Sequence, residues 1–509
     1  MNHNSSSSNS DTSHELKHNS VQKVVIAGGG TAGWMAAAGI AKTIGKHLDI
    51  VLIESDDIGT VGVGEATIPT LQYFHQLLKI NESEFLKATH GTFKLGINFE
   101  GWRNLGEDYL HAFGVTGNDC WAAGFQHFWL RGRQQGLAGD FGEYCLEQVA
   151  AVNEKFAQLP NNGLNYAYHM DATRYGQFLR KIAEESGAKR IEGKISSVNL
   201  NNENGFIKSL TLNNGETISG DLFIDCTGQR ALLIEGALHT GYEDWSHWLP
   251  NDSAIAVQTE SVETPKPYTR SIAHPFGWQW RIPLQHRVGN GIVYCSKYVS
   301  DEQAKETLLN NIEGTAITEP RVIKFRTGTR RKHWHKNCIA VGLSSGFLEP
   351  LESTSIHLIQ QSIVRLLRMF PQHGVIAEDI EEFNQQTRFD WETTRDFIIL
   401  HYKVTERDDA DFWRHCRQME IPEKLAHRIE LFEKTGRVFR KNNELFDDSW
   451  MQVMIGQGLT PESYHPIVDN MSNEELSRFL NHIKSNIDGM VNQLPTHEQF
   501  LKQFAVNQD

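Results

Sequence analysis

Hydrophobic positions follow two regimes along this chain. Up to about Ile359, short apolar runs rich in β-branched residues alternate with amphipathic stretches: residues 22–27, 50–53, 222–225 and 338–342 read as strands, and residues 175–185 as a helix. Short continuous apolar runs bounded by turn residues predict strands buried on both faces. Their alternation with helices predicts an α/β protein on a doubly wound, mainly parallel sheet. Residues 207–212 instead alternate apolar and polar and run into Asn213-Asn214-Gly215, a hairpin signal that predicts an antiparallel sheet inserted among the parallel units. Beyond about Arg365 the texture changes. Residues 380–395, 423–435 and 473–491 are charged, helix-compatible and nearly free of strand alternation, which predicts a mainly helical region covering the first domain. The resulting division is a tail at 1–20, an α/β domain at 21–365 and a helical covering region at 366–509.

Composition narrows the partners. A chain of 509 residues is long enough to enclose a sizeable cavity. With 39% hydrophobic and 22% charged residues, and no apolar run near the roughly 20 residues a membrane span needs, a soluble protein is expected. The formal net charge of -14 argues against nucleic acid, whose phosphates call for a basic field. The basic stretch Arg330-Arg331-Lys332-His333-Trp334 reads as a solvated or FAD-domain surface and not as a binding patch. Six scattered cysteines without a CxxC pair predict neither a zinc site nor a disulfide framework, and a reducing cytoplasm is the expected location. The first twenty residues are polar, lack the apolar stretch of a signal peptide and read as disordered.

The sharpest chemistry lies where the first strand meets its helix. Ala27-Gly28-Gly29-Gly30-Thr31-Ala32-Gly33-Trp34 satisfies GxGxxG through Gly28, Gly30 and Gly33. The first glycine allows the sharp turn, the second lets a pyrophosphate approach the backbone, and the third permits close packing of helix on strand. Gly29, Thr31 and Ala32 complete the turn, and Glu54 ends the second strand about where an acid meets a ribose hydroxyl. A second complete GxGxxG after a strand is absent, which removes the obvious nicotinamide site. The later run from Asp221 to Gly228, with Asp225 at its centre, looks like the strand and turn by which two-site flavoproteins close over FAD. FAD is the better reading, and reduced flavin must then come from a partner.

Four further segments carry a family resemblance: Gly62-Val63-Gly64-Glu65-Ala66-Thr67-Ile68-Pro69, Thr92-Phe93-Lys94-Leu95-Gly96, Trp278-Gln279-Trp280-Arg281-Ile282-Pro283 and Phe347-Leu348-Glu349-Pro350-Leu351-Glu352-Ser353-Thr354. With the glycine turn, in this order and spacing, the chain resembles the flavin-dependent tryptophan halogenases from about Val24 to Ile359, and more weakly beyond. The resemblance implies that FADH2, O2 and chloride or bromide yield hypohalous acid, which travels through a tunnel to an aromatic substrate. It implies Lys94 as the catalytic lysine, either donating a hydrogen bond to the hypohalous acid or becoming a haloamine, and Glu352 as the acid that stabilises the cationic ring or takes its proton. In isolation Lys94 would read as a solvated helix lysine and Glu352 as a helix N-terminal acid. Flavin contacts are implied at Glu65, Ala66, Leu343 and Ile356. Backbone amides at Thr354 and Ser355 are implied to hold halide; the family commonly has glycine at the second of these. Trp278 and Trp280 are implied as the tunnel wall, although an alternating pair of tryptophans also suits a core strand. The loop 62–69 is implied to run between flavin and active site and to report flavin occupancy toward Lys94.

For the substrate, the resemblance implies His111 and Phe113 as stacking partners and Ser353 as a further contact. Relatives that take free tryptophan grip its charged end with a tyrosine pair and an acid. Here the comparable stretch reads Phe446-Asp447-Asp448-Ser449-Trp450-Met451-Gln452, which points to an electron-rich aromatic without that head, an indole foremost. A separate flavin reductase is the expected partner, and a homodimer is left open. Two competing readings remain: an FAD-dependent aromatic monooxygenase, against which Lys94 and the WxWxIP segment speak, and a flavin-binding protein that has lost its chemistry.

Overall fold

The structure, a computed structural model, describes residues 20–59, 64–159, 163–439 and 444–504. Most of the expected tail, and Gly62 and Val63 of the 62–69 loop, lie outside the described residues.

A six-stranded sheet carries the glycine turn. Its spatial order is Trp334–His335, Cys338–Ala340, Leu222–Asp225, Lys23–Ala27, Asp49–Glu54, Lys189–Glu192, and every neighbouring pair is parallel except the first. The apolar run of the first strand is buried on both faces, as its continuity predicts. Val24 and Ile26 join a core with Trp34, Met35 and Ala38 of the helix Thr31–Ile44, while Val25 and Ala27 pack on Ile207, Leu210 and Leu212. Those last three belong to the expected antiparallel insertion, a three-stranded sheet of Ile195–Leu200, Ile207–Leu212 and Thr217–Ser219. The parallel sheet is therefore covered by helices on one face and by this small sheet on the other.

A second, seven-stranded sheet runs Arg321–Lys324, Ser253–Thr259, Val288–Tyr294, Gly277–Pro283, Thr269–His274, Gly96–Glu100, Asp108–Ala112. It is antiparallel except where Thr269–His274 lies parallel to Gly96–Glu100. A short third sheet, whose strand Gly64–Ala66 packs against the strands Gly277–Pro283 and Val288–Tyr294, pairs Ala167–Asp171 with Gly64–Ala66 on one side and Thr92–Lys94 on the other. This short sheet brings the segment from Gly64 to Thr67 beside Lys94.

Beyond residue 366 the described chain is helical, with Ala377–Lys403 and Asn473–Gln493 as its longest members. Their apolar faces enter both main cores: Leu476, Leu480 and Phe500 share one with Phe93 and Phe125, and Phe397 to Leu400 share the other with Ile97 and Trp278. The cores thus run across residue 366. No helix among the described residues is long and apolar enough to cross a membrane.

The basic stretch 330–334 is a correction to the sequence reading. Only Arg331 and Lys332 are exposed; His333 and Trp334 are buried, and Arg330 turns inward to pair with Glu235 at 2.8 Å. Burying the indole of Trp334 against Phe383 outweighs the charge pattern that suggested surface.

Candidate active site

One cavity of about 370 Å³ is lined both by the glycine turn and by Ser353, the hydrogen-bond partner of Lys94. At one end Gly30, Thr31 and Ala32 line it, with Cys226, Gly228 and Gln229 from the later turn. Gly28 adopts φ +108°, and a side chain there would meet the carbonyl of Cys226, so the turn is built for glycine. At Gly30 an added Cβ would meet nothing within 4 Å; the second glycine faces open space, as pyrophosphate approach requires.

Other expected cofactor residues shape this end without reaching it. Gly28, Gly29 and Gly33 form the turn's inner side, and the carboxylate of Glu54 lies over Gly29. Glu54 accepts hydrogen bonds from Arg190 Nε at 2.5 Å and Trp34 Nε1 at 3.3 Å. Asp225 does not line the cavity: one oxygen accepts from the Thr227 amide and hydroxyl, the other from the amides of Leu233 and Ile234. Its carboxylate is saturated by the protein and organises the turn.

The middle of the cavity is walled by Trp278, Trp280 and Ile282, with Glu65 and Ala66 opposite, and Leu343 and Ile356 also contribute. Trp278 and Trp280 stand two apart on the strand Gly277–Pro283, so both indoles share one face, with ring centroids 6.1 Å apart. Thr354 and Ser355 reach the cavity where the 14-residue helix Ser355–Arg368 begins. The first amides of such a helix lack intrahelical partners and present a partial positive charge.

Lys94, His111, Phe113 and Glu352 do not line this cavity: Lys94 lies behind Ser353, completely buried on its strand, which excludes the solvated-helix alternative. Its Nζ donates to the carbonyl of Thr67 at 3.1 Å and to Ser353 Oγ at 2.8 Å, and stands 5.0 Å over the ring of Phe113. Loss of water pulls its pKa down to about 7, against the opposing pull of Glu352 and Glu65. Glu65, half-buried at the cavity wall, is pushed up to about 7 by the same desolvation, against Lys94. Ser353, at φ +59°, lines the cavity while accepting from Lys94, and so links the buried amine to it.

Glu352 is fully buried in the short turn Pro350–Glu352. His111 Nδ1 lies 3.0 Å from one of its oxygens and His401 Nε2 2.7 Å from the other. Burial alone would raise its pKa, but the two imidazoles outweigh that and hold it down to about 2. His111 therefore has one nitrogen committed to Glu352, while its Nε2 finds no partner in the protein. Phe113 is half-buried beside it, at 6.5 Å between ring centroids.

A family model for the tryptophan halogenases matches residues 23–473. The chain belongs to the tryptophan halogenase family. This halogenase is 34% identical to the tryptophan 6-halogenase of Streptomyces toxytricini, over 86% of this chain and 89% of that one. Its fold superposes on a flavin-dependent halogenase from Xanthomonas campestris with a TM-score of 0.94 at 55% identity, covering 96% of this chain and 99% of that one. A flavin-dependent halogenase from Brevundimonas sp. BAL3 gives a TM-score of 0.92 at 44% identity, covering 95% and 99%. The protein is an enzyme, an oxidoreductase of the flavin-dependent halogenase class.

Some residues of this candidate site escape sequence reasoning. His401 stands 49 positions beyond Glu352, inside a helix read only as a cover, and nothing in its local spacing marks it. The Thr67 carbonyl is a backbone contact and leaves no trace in residue type. The stretch 446–452 turns inward: Phe446 stacks on Phe397 at 4.0 Å, and Gln452 bonds the Ala112 amide and the Gly114 carbonyl, pinning the segment that carries His111 and Phe113.

Proposed function

We propose that this halogenase uses FADH2, O2 and chloride or bromide to form hypohalous acid, and that Lys94 directs the halogen onto an electron-rich aromatic ring of indole type. The observation that carries this reading is Lys94 itself: a fully buried amine, fixed between Thr67 and Ser353 and faced by an ionised Glu352.

The residues present fit FAD. The glycine turn leaves open backbone at Gly30, Glu54 stands at the end of the second strand, and the cavity continues past Glu65, Ala66, Leu343 and Ile356 to the tryptophan wall. When bound, FADH2 supplies with O2 the two-electron oxidation of halide. The amides opening the helix at Thr354 and Ser355 hold the halide anion. Trp278 and Trp280 keep the organic substrate away from the flavin side and leave passage for a small oxidant. At Lys94, two ammonium hydrogens are accounted for by Thr67 and Ser353; the third is available to the oxygen of hypohalous acid, which must leave as water. Glu352, held far below neutrality, remains an anion and stabilises the cationic ring by charge; so low a pKa makes it a poor proton acceptor. One turnover consumes hypohalous acid and the arene and releases halogenated arene and water.

Phe113 and the unpartnered Nε2 of His111 offer a flat face and a polar contact to the ring. The 446–452 segment offers core contacts in place of a tyrosine pair, which favours an indole lacking the free amino-acid head. The assay supplies a flavin reductase, NADH, FAD and either halide with a panel of indoles, phenols and pyrroles. Halogenated products are expected by mass and should vanish in Lys94→Ala. Products carrying oxygen instead of halogen would overturn the reading in favour of a monooxygenase.

A further inference from the structure

Glu349 stands three residues before Glu352, and the chemistry above does not use it. It is completely buried, and its nearest partners include no cation. One oxygen, Oε2, accepts three hydrogen bonds: from Trp278 Nε1 at 2.7 Å, from the Tyr402 hydroxyl at 2.5 Å and from Asn251 Nδ2 at 3.0 Å. Asn251 Nδ2 also lies 2.9 Å from the Tyr402 hydroxyl, which closes the cluster. Burial pushes the Glu349 carboxyl up, and the three donors oppose it. A carboxylic group buried without a cation is expensive, and a well-packed apolar side chain would be the more stabilising occupant.

The cluster's position suggests what that expense serves. Trp278 walls the cavity, and its Nε1 is the only polar handle on the indole. The ring of Trp102 lies 6.4 Å from Trp278 and 6.2 Å from His401, which grips Glu352. Consecutive residues of one helix, His401 and Tyr402, thus hold the two acids of one loop, Glu352 on the substrate side and Glu349 on the wall side.

We propose that Glu349 is a positioning residue for halogen transfer: it fixes the indole of Trp278 in the partition between the flavin cavity and the Lys94 chamber, and so sets what fraction of the oxidised halogen reaches the substrate. This rests on the function proposed above. Without the anchor the indole swings about its side-chain torsions, the passage changes bore, and hypohalous acid escapes to solvent instead of meeting Lys94.

The test compares Glu349→Leu, Glu349→Gln, Trp278→Phe and the double variant Glu349→Leu/Trp278→Phe. Nitrogen-15 labelling of tryptophan reads the indole N–H of Trp278 directly, assigned by its disappearance in Trp278→Phe. Halogenated product per NADH consumed, beside trapping of free hypohalous acid, reads the coupling. In Glu349→Leu the Trp278 signal is expected to move, and coupling to fall roughly tenfold, the order of one charge-assisted hydrogen bond, while trapped hypohalous acid rises. Glu349→Gln, which retains an acceptor, should fall between that variant and wild type. The double variant should be no worse than the poorer single one, because both changes cut the same bond. An unmoved Trp278 signal in Glu349→Leu overturns the proposal, as does normal coupling in Trp278→Phe beside a loss in Glu349→Leu. A wild type that halogenates no ring at all overturns the proposed function and removes the coupling role with it, even where the indole signal moves.

Discussion

In the proposed mechanism Lys94 acts with its proton near the edge of loss at neutral pH. With a pKa drawn down to about 7, its ammonium form prevails below that value and is lost as the pH rises through it. Single-turnover halogenation with pre-reduced flavin is therefore expected to decline above about pH 7; a rate that rises through the same range would show that the neutral amine, the haloamine route, is the working form. Lys94→Arg keeps the charge but cannot set one nitrogen to donate to both Thr67 and Ser353 in a fully buried slot, and halogenation should drop by about 10²-fold or more, as read by product mass per turnover. Glu352 has the opposite sign. Its carboxyl is depressed, so its charge persists above about pH 2 and is lost only as the pH falls through that value. Replacing His401 with Gln removes one of the imidazoles that hold it there, and the acid limb of the pH–rate profile should move to higher pH; an unmoved limb would mean that His111 alone suffices.

At the level of elements, the site depends on how tightly a helix sits on its strand. A Cβ at Gly33 would come 1.9 Å from the Gly28 carbonyl, a backbone atom that cannot step aside. Gly33→Ala is expected to push the helix Thr31–Ile44 off the turn, lowering the melting temperature by a few degrees for an overpacking strain of about 1–3 kcal/mol and weakening FAD binding measurably by flavin fluorescence titration. An unchanged FAD affinity would show that the turn tolerates the displacement. This element was legible in advance because its rule is local: strand, glycines, helix and Glu54 follow each other within one stretch of chain. The short sheet of Gly64–Ala66, Ala167–Asp171 and Thr92–Lys94 was not. Its three strands are brief, and their pairing between distant stretches of chain has no signature in any one of them.

For the whole molecule, the two main cores make the helical region part of one folding unit with the sheets. Phe93, next to Lys94, stacks on Phe156 at 4.2 Å and meets Phe500 edge-on at 5.5 Å, so the helix His497–Leu501 buttresses the strand that carries Lys94. A chain ending at Arg365 exposes those apolar faces and is expected to lose cooperative thermal unfolding; a sharp transition by calorimetry would show that the first part folds alone. Periodicity and local motifs were enough for the fold class, the glycine turn between strand and helix and the alternating tryptophans on one strand, and through resemblance they named Lys94 and Glu352 as candidates, because each is written in neighbouring residues. Which histidines hold Glu352, that Thr67 and Ser353 hold Lys94, that Asp225 is used up inside its own turn and that Glu349 grips Trp278 all depend on side chains brought together from distant positions. Such contacts arise from packing across elements, and a linear pattern carries no record of which faces meet.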